Sequence, residues 1–174
     1  MSNSAAMPPY TEPWLRGTHR DIPAAGRAVL HALELAFDDL AKWTAGLTDD
    51  EVHAEPFGLT SIAVQLRHIA GSVDRILTYA EGSQLSADQL AALKAESSGS
   101  EPLAELMGRV KASLDRAAAR VRALAGGDLE APRSVGRKEL PTSLGGALIH
   151  VADHTQRHVG QVVTTAKVLR RMRG

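Results

Sequence analysis

The chain has 174 residues, which is enough for one domain with a sizeable core, and no second domain is expected. Its 20 basic and 20 acidic residues cancel to a formal charge of zero, which argues against nucleic acid or an anionic membrane as a partner. Because the chain has no cysteine, disulfides, thiolate metal sites and a cysteine nucleophile are excluded, and a bound metal must use nitrogen and oxygen ligands.

The hydropathy pattern predicts no membrane segment. No apolar run approaches the roughly 18 residues of a membrane span, and residues 1–13 lack the apolar core of a signal peptide. We therefore expect a soluble, cytoplasmic protein that contacts neither membrane nor nucleic acid.

The composition predicts a chain that is almost entirely helical. Ala and Leu are abundant, runs of β-branched and aromatic residues are scarce, and apolar residues recur at intervals of three and four. No strand is predicted. Residues 1–20 carry three prolines, which a helix cannot accommodate, so we expect an extended N-terminal segment followed by a single domain over residues 21–174.

The first two long helices are predicted from their caps and apolar spacing. The first runs from the cap Asp21 to about Ala45, and the second begins at Thr60 or Ser61 and ends before Gly82. Beside the apolar line of the second helix runs a polar stripe that comprises Ser61, Gln65, His68, Ser72, Arg75 and Tyr79. A solvent-facing flank usually carries Lys and Glu, so this stripe predicts the wall of a cleft.

Three further helices follow. A Ser-x-x-Gln capping box opens a short helix over residues 86–95, and a third long helix starts at the cap Ser100 and stops before Gly126. A loop rich in Pro and Gly leads to a fourth long helix, which Thr142 or Ser143 caps and which continues almost to the C-terminus. Four long helices with a short extra helix in the crossover between the second and third predict an all-α, four-helix-bundle fold.

The segment HVADHTQRHVGQ, residues 150–161, carries three of the seven histidines. On a helix His150 and His158 lie about 12 Å apart along the axis, too far to share one ion with metal–nitrogen bonds near 2 Å. His154 and His158, four apart, can chelate, and the helical repeat predicts His158 near the middle of the buried arc with His154 on its rim. A lone HxxxH motif is weak, so a metal site and a pair of structural, hydrogen-bonded histidines both stay open.

The other histidines carry less signal. We predict His19, His31 and His53 as surface residues, and a single histidine such as His68 at the edge of an apolar stripe is more typical of a structural role. The Glu-x-x-His pairs of di-iron bundles, HExxH, the P-loop and GxGxxG after a strand are all absent. Histidine-bound metal is therefore the main candidate for any chemistry.

Two segments resemble the DinB/YfiT-like superfamily of bacterial metal-dependent bundles, namely SIAVQLRHIAGSVDRILTYAEG and HVADHTQRHVGQ. The resemblance spans about residues 24–170, and its most specific parts are the histidine in LRHI and the late HxxxH followed by Gly-Gln. It implies that His68, His154 and His158 are the ligands of a metal with an open coordination position. Val159 stands where the family ending HRGQ has Arg, which puts in doubt any role of that Arg in orienting a substrate.

The resemblance further implies a divalent metal cofactor. Zinc or nickel is favoured, and iron or manganese are the alternatives. Ligating imidazoles usually donate their second N–H to an acceptor, and the candidates to hydrogen-bond the ligands are Gln65, His150, Asp153 and Gln161.

Known members of the family include transferases of bacillithiol or glutathione-like thiols and a mycothiol-dependent maleylpyruvate isomerase. The resemblance thus implies a metal-dependent transferase that activates a low-molecular-weight thiol for attack on a small electrophile. A metal-dependent hydrolase and a non-catalytic, stress-associated bundle with a structural metal are the alternatives. Because the family often forms homodimers and Leu35 is predicted to be exposed opposite the core stripe of the first helix, we predict a homodimer.

Overall fold

The computed structural model describes residues 10–173, so residues 1–9 of the predicted N-terminal segment lie outside the described residues. The α-helices in the described part are α1 Ala24–Thr44, α2 Asp49–His53, α3 Ile62–Ala80, α4 Ala87–Ala95, α5 Leu103–Leu124 and α6 Leu144–Met172. Two 3₁₀ helices, Pro13–Leu15 and Pro56–Gly58, and two strands, β1 Pro132–Val135 and β2 Leu140–Ser143, complete the elements. None of the helices described is long and apolar enough to cross a membrane.

The four long helices enclose one hydrophobic core. Both α3 and α1 pack against α5 on one side and against α6 on the other. The largest side chains with almost no exposed surface are Leu30, Leu40, Ile62, Leu66, Ile69, Leu77, Leu106 and Leu148, which recur at helical spacing on these four elements. The packing of α3 against α6 positions the candidate site.

Three of the predicted helix caps are confirmed. Ser61, Ser86 and Ser143 each accept a hydrogen bond from the backbone N–H three residues further on, at the starts of α3, α4 and α6. Gln89 completes the capping box of α4 and also donates to Asp74 Oδ2 of α3 at 2.6 Å. The short helix α4 is thereby held against α3.

Two other predicted caps, Asp21 and Ser100, are wrong. The helix α1 begins without a side-chain cap, and Asp21 instead forms an ion pair with Arg122 of α5 at 3.0 Å. The cap predicted for α5, Ser100, does not bond its first turn. The N–H of Leu103 donates to Asp49 Oδ1 of α2 at 2.8 Å.

The prediction that the chain has no strand is wrong for residues 132–143. Strands β1 and β2 pair in antiparallel register, with Val135 opposite Leu140 and Pro132 opposite Ser143. Each strand has only four residues and one of them is a proline, so no alternation of apolar and polar side chains marks them. The fold is therefore mostly helical with one small hairpin that leads directly into α6.

A close approach of two helices depends on a glycine. A Cβ atom at Gly26 of α1 would lie 2.3 Å from the Cβ of Ala125, the residue that follows α5. Gly108 of α5, by contrast, faces open space, with no atom within 4 Å of such a Cβ.

We expect Gly26→Ala to destabilise the protein by about 1–3 kcal/mol, because the added methyl group forces α1 and α5 apart. The control Gly108→Ala should stabilise it by about 0.5–1 kcal/mol through the higher helix propensity of Ala. Urea unfolding followed by circular dichroism measures both. Equal stability of Gly26→Ala and the parent protein would contradict the packing of α1 against α5.

Candidate metal centre

Three histidines from two helices lie together at the edge of the contact between α3 and α6. One ring nitrogen of each of His68, His154 and His158 lies within 4.8 Å of the others. The Nε2 atoms of His68 and His154 are 3.0 Å apart, and the ring centroids of His68 and His158 are 4.3 Å apart. No other group of three or more His, Cys, Asp or Glu ligands is found within residues 10–173.

The side-chain directions on α6 differ from the prediction. The centre of its buried face is formed by Val151, Thr155 and Val159, which are 0%, 1% and 2% exposed. His154 and His158 both lie half-buried on the flank of this face, so the prediction of His158 in the middle of the buried arc is wrong. Thr155 gives no apolar signal in the sequence, so the centre of the buried face was predicted too close to His158.

Hydrogen bonds fix which nitrogen atoms the histidines present to one another. His68 Nδ1 is 2.7 Å from Glu96 Oε2, and His158 Nδ1 is 2.7 Å from Gln65 Oε1. Both partners are acceptors, so each Nδ1 carries a proton, and in a neutral ring the Nε2 atom then keeps the lone pair. Gln65 Nε2 in turn donates to Gln161 Oε1, which holds the amide in this orientation.

The surroundings of His154 and His158 keep these two imidazoles neutral. Burial lowers the pKa of His154 to about 4, and repulsion from His158 and His68 adds to this effect. Burial also lowers the pKa of His158, again with contributions from His68 and from the positive charge of Arg157. Neutral imidazole is the form that binds metal ions, so at neutral pH the lone pairs of His154 and His158 are available.

Comparison with known proteins identifies the family of the chain. The model of the DinB superfamily matches residues 32–162, well over half of the chain. The chain belongs to the DinB superfamily. No curated protein matches it. All three clustered histidines lie inside the matched region, so the DinB domain contains a cluster that could hold a metal ion.

Glu96 is a residue of the site that the sequence analysis missed. It follows α4, its side chain is 11% exposed, and its Oε1 lies 2.6 Å from Arg75 Nη1 while its Oε2 binds His68. Burial by itself raises the pKa of Glu96, but hydrogen bonds from His68 and Arg75 outweigh it and hold the pKa below its ordinary value. Gly71 leaves the space for this pair, because a Cβ there would lie 2.6 Å from Glu96 Oε1.

The polar stripe predicted on the second helix faces this part of the DinB domain. Gln65, Ser72 and Arg75 are buried, with 4%, 3% and 7% exposure. Gln65 contacts α6 and Arg75 contacts Glu96, so buried positions of the stripe contribute side chains to the site.

His150 and Asp153 form a separate pair on α6. His150 Nδ1 lies 2.8 Å from Asp153 Oδ1, and both side chains are about half exposed. The His150 ring centroid is 5.2 Å from that of His154, and His150 is not part of the three-histidine group. Asp153 therefore pairs with His150 rather than with a histidine of the cluster.

The prediction that His31 is a surface residue is wrong. It is 7% exposed, and its Nε2 is 3.0 Å from Thr18 Oγ1, because the chain before α1 folds over this side of the helix. His19 and His53 are half-buried rather than exposed. His19 bonds Glu34 at 2.6 Å, and His53 bonds a backbone carbonyl before α5 at 3.0 Å.

We expect the untagged DinB protein, purified without added metal, to contain close to one metal ion per chain. His68→Ala, His154→Ala and His158→Ala should each lose most of this metal, because two imidazoles hold an ion much more weakly than three. Elemental analysis by mass spectrometry gives the stoichiometry. His150→Ala is the control and should keep its metal; equal loss in that variant would mean that the wrong pair on α6 has been chosen.

We also expect Glu96→Gln to weaken zinc binding by about tenfold or more, because the buried carboxylate orients His68 and makes its ring more basic. Competition with a chromophoric chelator measures the affinity. Glu105→Gln serves as the control, since Glu105 is half exposed and pairs with Arg109 on α5. If both variants bind zinc as the parent protein does, Glu96 does not support the site.

Proposed function

We propose that this DinB protein is a metal-dependent transferase that activates a low-molecular-weight thiol for attack on a small electrophile. The observation that supports the proposal is the approach of three histidine side chains, one ring nitrogen of each lying within 4.8 Å of the others. His68 and His158 are each oriented by a hydrogen bond at Nδ1, at 2.7 Å in both cases.

The donor set fits a divalent ion. His68, His154 and His158 would hold it through imidazole nitrogens, a set that suits zinc or nickel best and iron next, while manganese prefers oxygen ligands. Three protein ligands leave at least one coordination position for a small molecule. An ion bound there would lower the pKa of a thiol, or of a water molecule, in that open position.

The residues around the cluster would keep this arrangement rigid. Glu96 accepts the proton of His68 Nδ1 and is itself held by Arg75 at 2.6 Å. Gln65 accepts from His158 and donates to Gln161. These contacts fix the ring orientations before a metal or substrate arrives, which is the preorganisation that a reactive site needs.

A catalytic metal is favoured over a structural one by the position of the cluster. The hydrophobic core is formed by other residues, and the His68 side chain keeps 24% of its surface exposed. A thiol cosubstrate also suits a chain without cysteine, because the nucleophile then comes from a small molecule.

The proposal includes the wider setting of the site. We infer that the four long helices form a DinB-like four-helix bundle, a single domain over residues 21–174. We also infer that the protein acts in the reducing cytoplasm, which a cysteine-free chain suits.

We also infer a homodimer, although Leu35 is half-buried rather than exposed as predicted. It lines a groove on α1 with Ala28 and Ala32, which offers apolar surface to a second copy.

We expect 2-mercaptoethanol to bind the cobalt-substituted protein and to produce a thiolate-to-cobalt charge-transfer band that saturates at one thiol per metal. Ethylene glycol, which differs only by oxygen in place of sulfur, is the control and should give no such band. His150→Ala should keep the response, because His150 lies outside the cluster.

Two outcomes would contradict the thiol transferase. Absence of the band in a protein that retains its cobalt would favour hydrolysis, with water as the nucleophile. Loss of helical structure on removal of the metal with a chelator would favour a structural metal; we expect the helical signal to persist and the melting temperature to fall by only a few degrees.

A further inference from the structure

A cavity of about 470 Å³ adjoins the histidine cluster. It lies between the segment before α3 and one side of α6, and its lining includes Gly58, Thr60, Gln65, Arg157, Gly160 and Gln161. Gln65 and Gln161 also form the hydrogen-bond chain that ends on His158. A molecule in this cavity would therefore contact the two glutamines that connect the cavity to His158.

Arg157 gives the cavity its positive charge. It is exposed, and it forms no hydrogen bond or ion pair with any residue that the structure describes. Arg67 and Arg75, by contrast, pair with half-buried carboxylates. All donors of its guanidinium group thus remain available to a ligand. Their planar, forked geometry matches the two oxygens of a carboxylate.

Phe57, next in sequence to the cavity lining, is a second unusual residue. It precedes Gly58 of the lining, its side chain is 86% exposed, and its φ of 53° lies in the left-handed region that bulky residues rarely adopt. Strained backbone of this kind occurs preferentially at ligand-binding positions. An exposed aromatic residue that directly precedes the lining of a cationic cavity suits an anionic ligand that also has an apolar part.

We propose that this cavity binds a small carboxylate-bearing molecule, with Arg157 as the counter-ion of the carboxylate and Phe57 in contact with the apolar part. The inference deepens the proposed function, on which it rests for the reaction, by naming the substrate class of the same site. The carboxylate can belong to the thiol or to the electrophile, and the experiment separates these sources.

The first arm uses metal-free protein and the matched probes benzoate and benzamide, which share size and shape and differ in charge. We expect the parent protein to bind benzoate about tenfold more tightly than benzamide, because a charged hydrogen bond to Arg157 forms with benzoate alone. Chemical-shift titration by NMR measures both affinities and shows whether the signals of α6 around Gly160 respond.

Three variants assign the effect to residues. Arg157→Gln should lose the preference for benzoate and keep the affinity for benzamide, and Arg157→Lys should keep part of the preference. Phe57→Ala should weaken both probes by a similar, few-fold factor. The matched control is Arg116→Gln, since Arg116 is an exposed arginine of α5 that also lacks a hydrogen-bonding partner among residues 10–173, and it should behave as the parent protein does.

The second arm compares 3-mercaptopropionate with its neutral amide on cobalt-substituted protein. If the parent protein prefers 3-mercaptopropionate to its amide and Arg157→Gln abolishes this preference, the carboxylate belongs to the thiol. If the two thiols bind equally and the benzoate preference remains, the carboxylate belongs to the electrophile.

The inference is overturned if the parent protein binds benzoate no better than benzamide, or if Arg116→Gln changes the preference as much as Arg157→Gln. Failure of both thiols to bind cobalt, with the benzoate preference intact, would instead reject the thiol transferase.

Discussion

The packing of α3 against α6 places His68 beside His154 and His158, which lie 86 and 90 residues later in the sequence. Neither helix alone can surround an ion, because one helix face offers at most two histidines in neighbouring turns. The apolar residues of the two helices, such as Leu66 and Val151, fix their relative position and thereby the distances within the cluster. The hydrophobic core thus determines the geometry of a polar site that lies at its edge.

The short helix α4 positions Glu96 behind the histidine cluster, although α4 itself has no buried residue. Its residues contribute nothing to the core, yet Gln89 ties the helix to α3 and the chain leaves it at Glu96. The carboxylate of Glu96 is largely withdrawn from water, and Arg75 balances its charge at 2.6 Å. Removing a carboxylate from water costs free energy unless partners compensate for it, and even a paired buried charge adds little stability. The contact of Glu96 with His68 therefore indicates a functional site rather than a stabilising interaction.

Helical periodicity was sufficient to predict the four long helices, the capping serines and the pair His154 and His158, because these features depend on local spacing. The third histidine required the family resemblance, since no local pattern links His68 to residues so far along the chain. Glu96 could not be predicted, because it lies between the end of a short exposed helix and the flexible sequence SSGS, and its contact with His68 is tertiary. The hairpin was missed for a similar reason, as its two short strands carry prolines and no alternation.

The buried face of α6 differs from the face that the sequence predicts. The apolar markers on this helix indicated the inward side only approximately, and Thr155 rather than His158 occupies its centre. His158 is consequently closer to solvent than the sequence predicted, whereas His154 lies on the rim of the buried face as predicted.

The position and ligation of a bound ion test the central claim most directly. Crystals of the zinc-loaded protein, measured on both sides of the zinc absorption edge, should show one anomalous peak about 2.0–2.1 Å from the Nε2 atoms of His68, His154 and His158. The Nδ1 atoms of His68 and His158 should keep their contacts with Glu96 and Gln65. A zinc ion bound by His150 and His154, or by the Nδ1 atoms, would contradict the account.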